Sequence, residues 1–269
     1  MRQTLGAHNA RIAAIRALLE KKGREEQHTY AIEGPTLLAD ALNARAPVRY
    51  IVATPAAFER YAVLARAESG GVETLVVDER TFARLSDLDS PTGILAALPI
   101  PAVSAARLFD RPGPILLLAD VNDPGNAGSL LRSASAFGIE SVIAGSDGAD
   151  CFGPKAVRAA MGATFSLQIA VASPADLGPA AGSAWEVLGL RADAPPLRSR
   201  SPARTILVVG HERHGLGRWE SACSEFASLR MPGRMESLNA AMAGTLALYE
   251  LTRPDQGAAS QASQRPAPL

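Results

Sequence analysis

One stretch constrains the fold more than any other: residues 120–138, reading DVNDPGNAGSLLRSASAFG. The wholly apolar run Ile115–Leu118 that leads into it has the length and composition of a buried strand. Asn122, Asp123, Pro124 and Gly125 are turn formers, and they force the chain out of that strand. Asn126 is then expected to cap a helix in which Ala127, Leu130, Leu131, Ala134 and Phe137 follow a 3.6-residue period. Gly138 fits the C-terminal stop of that helix. A strand end, a tight loop and a helix start form the usual place for a ligand site in an α/β sheet. Arg132 lies four residues after Gly128 and therefore on the same helix face. A cation on a face of small residues points to an anionic or hydroxyl-bearing substrate.

The same alternation of short strands and helices runs through the chain. Residues 1 to about 26 read as one basic amphipathic helix, with Ile12, Ile15, Leu18 and Leu19 at helical spacing and Arg11, Arg16, Lys21, Lys22 and Arg24 as a solvated face. Strands are expected at 31–33, 50–53, 73–77 and 94–98, with helices at 36–42, 56–68 and 79–85 between them. This makes a small α/β unit over residues 1–98. Pro99, Pro101, Pro112 and Pro114 mark a linker at 99–113. A second α/β unit occupies 114–253, with further strands at 141–144, 165–170, 186–190, 206–209 and 226–231. Helices are expected there at 154–161, 174–182, 216–224 and 237–251. The polar, proline-punctuated segment 254–269 reads as a disordered tail.

Bulk charge excludes little, because 27 basic residues balance 27 acidic ones. Lysine occurs only at Lys21, Lys22 and Lys155, so arginine supplies the remaining cations. Arginine suits bidentate phosphate contacts, although codon bias would give the same excess. Cys151 and Cys223 match no metal-ligand spacing and read as two buried reduced thiols. His8, His28, His211 and His214 form no HExxH pattern, so no metal is expected. No apolar signal region and no run of membrane-spanning length occurs, so the expectation is a cytoplasmic protein without a membrane partner. A nucleotide-dependent dehydrogenase is disfavoured by the lack of a G-x-G-x-x-G loop after the first strand.

Two later segments share the character of the first. ILVVGHERHGLG, residues 206–217, is an apolar strand that stops at Gly210 and enters a loop carrying Glu212. LRMPGRMESLNAAMAG, residues 229–244, is a strand and a Pro-Gly turn, with Ser237 expected to cap the last helix and Asn239 expected in its first turn. Each segment alone is weak, since strand–glycine–loop is common and Asn126 or Ser237 could serve only as caps. Three of them at predicted strand ends, in this order, are specific. Together they resemble motifs 1, 2 and 3 of the SpoU (TrmH-type) RNA 2′-O-ribose methyltransferases of the SPOUT superfamily. Asn126, Gly128 and Arg132 match the N-x-G-x-x-x-R core; Gly210, Glu212, Gly215 and Leu216 match G-x-E-x-x-G-L; Ser237, Leu238 and Asn239 match S-L-N. The first hundred residues are similar to the L30e-like substrate-binding domain that precedes many rRNA-modifying members. His8-Asn9, Lys22-Gly23-Arg24 and Ile32-Glu33-Gly34 carry that likeness.

The resemblance implies an α/β-knot: a parallel sheet with a deep C-terminal trefoil knot, preceded by the small L30e-like α/β domain. It implies a homodimer that takes S-adenosylmethionine as cofactor and RNA as partner, with 23S rRNA favoured over tRNA because of the N-terminal domain. By position, Gly210, Leu229 and Leu238 would contact the cofactor. Arg132, Asn126, Glu212, Ser237 and Asn239 would form the catalytic and substrate set. Arg230 and His211 depart from the family pattern, where a proline and an asparagine or small residue are usual. A noncatalytic RNA-binding or ribosome-assembly factor of the same fold is the alternative, and the intact Arg132 and Asn239 argue against it.

Overall fold

A computed structural model describes residues 2–178, 185–198, 203–211, 213–233 and 238–253. The first unit contains β1 (Arg2–Thr4), α1 (Ala10–Ala17), α2 (Lys21–Gln27), β2 (Thr29–Glu33), α3 (Pro35–Asn43), β3 (Tyr50–Ala53), α4 (Pro55–Arg60), α5 (Val63–Ser69), β4 (Glu73–Val76), α6 (Glu79–Ala83) and β5 (Ile94–Pro99). Its sheet runs β1-β4-β3-β5-β2, with β1, β4 and β3 parallel and β5 antiparallel to both neighbours.

The single helix expected over residues 1–26 does not form. Residues 2–4 pair with residues 74–76 as an edge strand instead. Asn9 then starts α1, its side chain accepting from the Arg11 N–H, and α2 begins separately at Lys21. The apolar period was read correctly, since Ile12, Ile15 and Leu18 are all buried. Pairing at the sheet edge outweighed helix propensity at the N-terminal end.

The second unit contains α7 (Ala105–Phe109), β6 (Ile115–Leu118), α8 (Pro124–Ala136), β7 (Ser141–Gly145), α9 (Pro154–Ala160), β8 (Gln168–Ala172), β9 (Glu186–Leu190), β10 (Thr205–Val209), β11 (Glu225–Ala227) and α10 (Ala240–Thr252). Its six strands are all parallel, in the order β11-β9-β10-β6-β7-β8. Parallel sheets are covered on both faces, which is why β6 is apolar throughout. Ile115 and Leu117 enter the core on one face, and Leu116 and Leu118 the core on the other. The stretch read as a linker carries α7, whose Ala105 and Leu108 join the first of these cores. Two expected helices are only 3-10 turns, at Pro174–Leu177 and Gly217–Ala222. The expected end of the first lies outside the described residues. No described helix is long and apolar enough to cross a membrane.

The two units share a core, in which Tyr30 and Ile32 of β2 pack with Phe152 and Val157. The Tyr30 and Phe152 rings lie 5.0 Å apart. Arg24 corrects the reading of a solvated basic face, because it is only 4% exposed. Its Nε and Nη2 donate to Asp150 Oδ2 at 2.9 and 2.7 Å, and its Nη1 donates to the Leu18 carbonyl. Arg158 and Asp87 form a second ion pair across the same junction. Removing one partner of a buried pair strands the other charge, so Arg24→Ala should lower unfolding free energy by about 3 kcal/mol. A urea midpoint equal to wild type would contradict this role for the pair.

Candidate active site

The loop after β6 is built differently from the sequence expectation. Asp123, not Asn126, caps α8: its Oδ1 accepts from the Asn126 N–H at 2.9 Å, and Pro124 takes the first helical position. Lys155 Nζ lies 3.0 Å from Asp123 Oδ2. The Asn126 N–H, and after it the Lys155 ammonium, hold the Asp123 carboxyl below the usual carboxylate range. The Asp-Pro dipeptide was the overlooked signal. Because Asp123 does the capping, the Asn126 side chain is available for another partner: its Oδ1 accepts from Asn239 Nδ2 at 3.0 Å. Gly128 has a packing reason, since a Cβ there would sit 2.3 Å from the Ala156 carbonyl of α9.

The last helix needs the same correction. Asn239, expected within the first turn, is itself the cap of α10, accepting from the N–H groups of Ala241 and Met242. Its carbonyl oxygen therefore fixes the helix start while its amide reaches Asn126. One residue thus ties the first motif to the third. Farther along the two helices, Ser133 Oγ and Thr245 Oγ1 lie 2.7 Å apart. Glu212 and Ser237, both expected in the site, lie outside the described residues.

Gly210, Leu229 and Leu238 all line one cavity, at the carboxyl ends of β9, β10 and β11. Leu190, His211 and Gly215 complete much of its wall. The second motif forms a tight hairpin there: His211 and Gly215 exchange both backbone hydrogen bonds, at 2.8 and 2.9 Å. A Cβ at Gly210 would stand 2.3 Å from the Gly215 carbonyl oxygen, so this closure requires glycine. His211 Nδ1 accepts from the Arg213 N–H, and the His211 and His214 rings lie 4.9 Å apart. Sequence reasoning missed Leu190 and Arg191 of the wall; the end of an apolar strand at Leu190 was the signal for them.

Arg132 is placed elsewhere. Six residues beyond Asn126, it lies about 120° away around α8, off the face that meets α10. It is exposed and lines a shallow cleft with Asp40 and Met161. It makes no ion pair or side-chain hydrogen bond with any described residue. Within one chain, therefore, the described structure joins Asn126 to Asn239 and brings Leu238 to the cofactor-type cavity, but leaves Arg132 apart.

The cavity wall is largely apolar side chains and backbone, a lining that suits a flat heterocycle held by amides and carbonyls. Thiolate chemistry is not on offer, because burial pushes Cys151 up to about 12 and Cys223 up to about 11. Among the described residues no His, Cys, Asp and Glu cluster could hold a metal ion. The Asn126 and Asn239 side chains, joined to each other, offer neutral amides that position a substrate rather than attack it.

The SpoU rRNA Methylase family profile matches residues 113–249, and that of the MRM3-like substrate binding domain matches residues 9–96. The 23S rRNA (guanosine(2553)-2′-O)-methyltransferase RlmP of Bacillus subtilis is 28% identical over 258 residues, covering 93% of this chain and 99% of the relative. An S-adenosylmethionine-bound rRNA methyltransferase from Sinorhizobium meliloti superposes with a TM-score of 0.77 at 26% identity, covering 93% of this chain and 97% of that one. A putative TrmH-family RNA methyltransferase from Porphyromonas gingivalis gives 0.75 at 31% identity, covering 90% and 97%. The parallel sheet and the separate small N-terminal domain agree with this likeness. The profile match spans half the chain and carries all three motifs: the chain belongs to the SpoU rRNA methylase family.

Proposed function

We propose that this chain is an S-adenosylmethionine-dependent RNA 2′-O-ribose methyltransferase that acts on 23S rRNA, as a cytoplasmic homodimer with the family's C-terminal trefoil knot. One observation carries the reading: Gly210, Leu229 and Leu238, far apart in sequence, wall one cavity whose edge abuts the Asn126–Asn239 pair. The B. subtilis relative, matched over nearly its whole length, is named for 23S rRNA. The MRM3-like domain at 9–96 favours rRNA over tRNA.

The cofactor fits the cavity by the chemistry of its walls. Leu229 and Leu238 would hold its apolar surface, and the backbone around Gly210 its polar edge. When bound, it supplies an electrophilic sulfonium methyl group for in-line displacement by the ribose 2′-oxygen. The chain's own task is to orient that hydroxyl and stabilise the charge that develops on oxygen as its proton passes to water. Asn126 and Asn239 hold each other through one hydrogen bond, which fixes both side chains at the helix starts where the ribose would be positioned. Arg132 offers a guanidinium, a fork of N–H donors with no acceptor. Its role is therefore to stabilise alkoxide and phosphate charge. Glu212 and Ser237 join the set by motif position alone.

The position of Arg132, away from its own chain's cavity, supports a site shared between two copies. So does the face of α10, where Met242, Leu246 and Tyr249 are 62%, 47% and 49% exposed at positions i, i+4 and i+7. Such a stripe of large apolar residues marks an interaction surface. Met242→Glu with Leu246→Glu should convert a dimer to a monomer in light scattering and abolish turnover. A monomeric wild type would overturn the homodimer. To separate the RNA classes, labelled methyl incorporation into 23S rRNA and into bulk tRNA is compared. Label in tRNA alone would replace the proposed substrate.

A further inference from the structure

Asp120, two residues after β6, has φ of 51°, in the left-handed region that a residue with a side chain enters at a cost. Its carboxylate is heavily engaged. Arg218 donates to it twice, Nε to Oδ2 at 2.7 Å and Nη2 to Oδ1 at 3.1 Å. The indole N–H of Trp219, a fully buried residue, donates to Oδ2 at 2.9 Å, and the Asp147 N–H lies 3.3 Å from Oδ1. Arg218 also reaches Ser146 Oγ at 2.9 Å and the Asp147 carboxylate at 3.0 Å. Burial raises the Asp120 carboxyl, but the bonds from Arg218 and Trp219 outweigh it and hold the group below its usual range. The surroundings are shaped to this side chain: a Cβ on Gly145 would sit 2.3 Å from Asp120 Oδ1. Three loops at the carboxyl edge of the sheet therefore close on one carboxylate.

Two of those loops belong to the site. Asp120 stands three residues before the Asp123 cap and six before Asn126. Arg218 stands three residues after Gly215, a wall residue of the cofactor cavity. Between them the chain turns sharply, Gly215 and Gly217 both taking left-handed φ values, 58° and 51°. The hairpin is thus pinned by the His211–Gly215 bridge at one end and by Asp120 at the other. We propose that Asp120 is a positioning residue for methyl transfer, gripping Arg218 and Trp219 to hold the cofactor-cavity wall in register with the loop that presents Asn126. This inference rests on the cavity being the S-adenosylmethionine site.

Full-length Asp120→Gly, Asp120→Asn and Arg218→Ala are compared with wild type. Glycine takes φ of 51° without strain, so Asp120→Gly removes the grip while sparing the backbone. Asp120→Gly and Arg218→Ala should each raise the calorimetric Kd and the KM for S-adenosylmethionine about tenfold, with KM for RNA unchanged. The double variant should fall well short of the sum of the two single effects, because both substitutions delete the Asp120–Arg218 pair. Asp120→Asn, which tolerates the backbone and still accepts from Trp219, should fall between. A folded Asp120→Gly with wild-type cofactor affinity overturns the proposal, as does full additivity in the double variant. Should Asp120→Gly fail to fold, Arg218→Ala, at an exposed arginine, decides alone by the same criterion. Leu238→Arg distinguishes the two levels. If it binds the cofactor normally, the cavity assignment falls; if it loses binding while Asp120→Gly and Arg218→Ala do not, Asp120 alone is wrong.

Discussion

Replacing Arg132 with alanine is expected to lower kcat for methyl transfer by about a thousandfold, the scale seen when a donor to a developing oxyanion is removed. Affinity for S-adenosylmethionine should stay within about twofold of wild type, since Arg132 does not line the cavity proposed for the cofactor. The substitution deletes an exposed side chain with no described ion pair, so the fold has little to lose. A structural arginine would show the opposite pattern, with lower thermal stability and near-normal turnover. Single-turnover methylation beside calorimetric cofactor binding separates the two. Wild-type turnover in Arg132→Ala would remove this residue from the mechanism.

Leu238→Arg should weaken cofactor binding at least tenfold, again with the fold retained. Leu238 is half-buried on the cavity wall and immediately precedes the cap Asn239. A guanidinium there would either lie desolvated in an apolar cavity or face the positive sulfonium of the cofactor. Both options cost binding energy without touching the Asn239 cap. Saturating cofactor should recover part of kcat, which separates this defect from that of Arg132→Ala. Unchanged affinity would mean that the cofactor sits elsewhere.

The second unit was the more legible half of the fold. Its buried strands are mostly apolar, as a two-sided parallel sheet demands, and β6, β9 and β10 fall within a residue of where that pattern places them. The N-terminal segment misled because its helical period is real but local. Nothing in residues 2–4 announces a pairing with residues 74–76, a contact that exists only once the sheet forms. Arg24 misled for the same reason, its partner Asp150 lying in the other unit.

At the candidate site, two polar residues at helix starts were legible and their local roles less so. Asn126 and Asn239 were picked out as polar residues at helix starts, and the structure pairs them. Which residue caps which helix was inverted at both places. In the first case Pro124 fixes the helix start, making Asp123 the cap; in the second, Asn239 replaces Ser237 in that position. Asp120 was invisible, because its left-handed backbone and its grip on Arg218 are tertiary facts. A turn-forming aspartate after a strand reads as an ordinary loop residue.

The central claim is transfer of a methyl group to an RNA ribose, and position-resolved ribose chemistry tests it most directly. Purified protein is incubated with S-adenosylmethionine and unmodified 23S rRNA, and 2′-O-methylation is mapped along the product. The account predicts a 2′-O-methylated nucleotide at a defined position, absent when Arg132→Ala replaces the wild type. Bound RNA with no methylated ribose, or a methyl group found on a base, would contradict it.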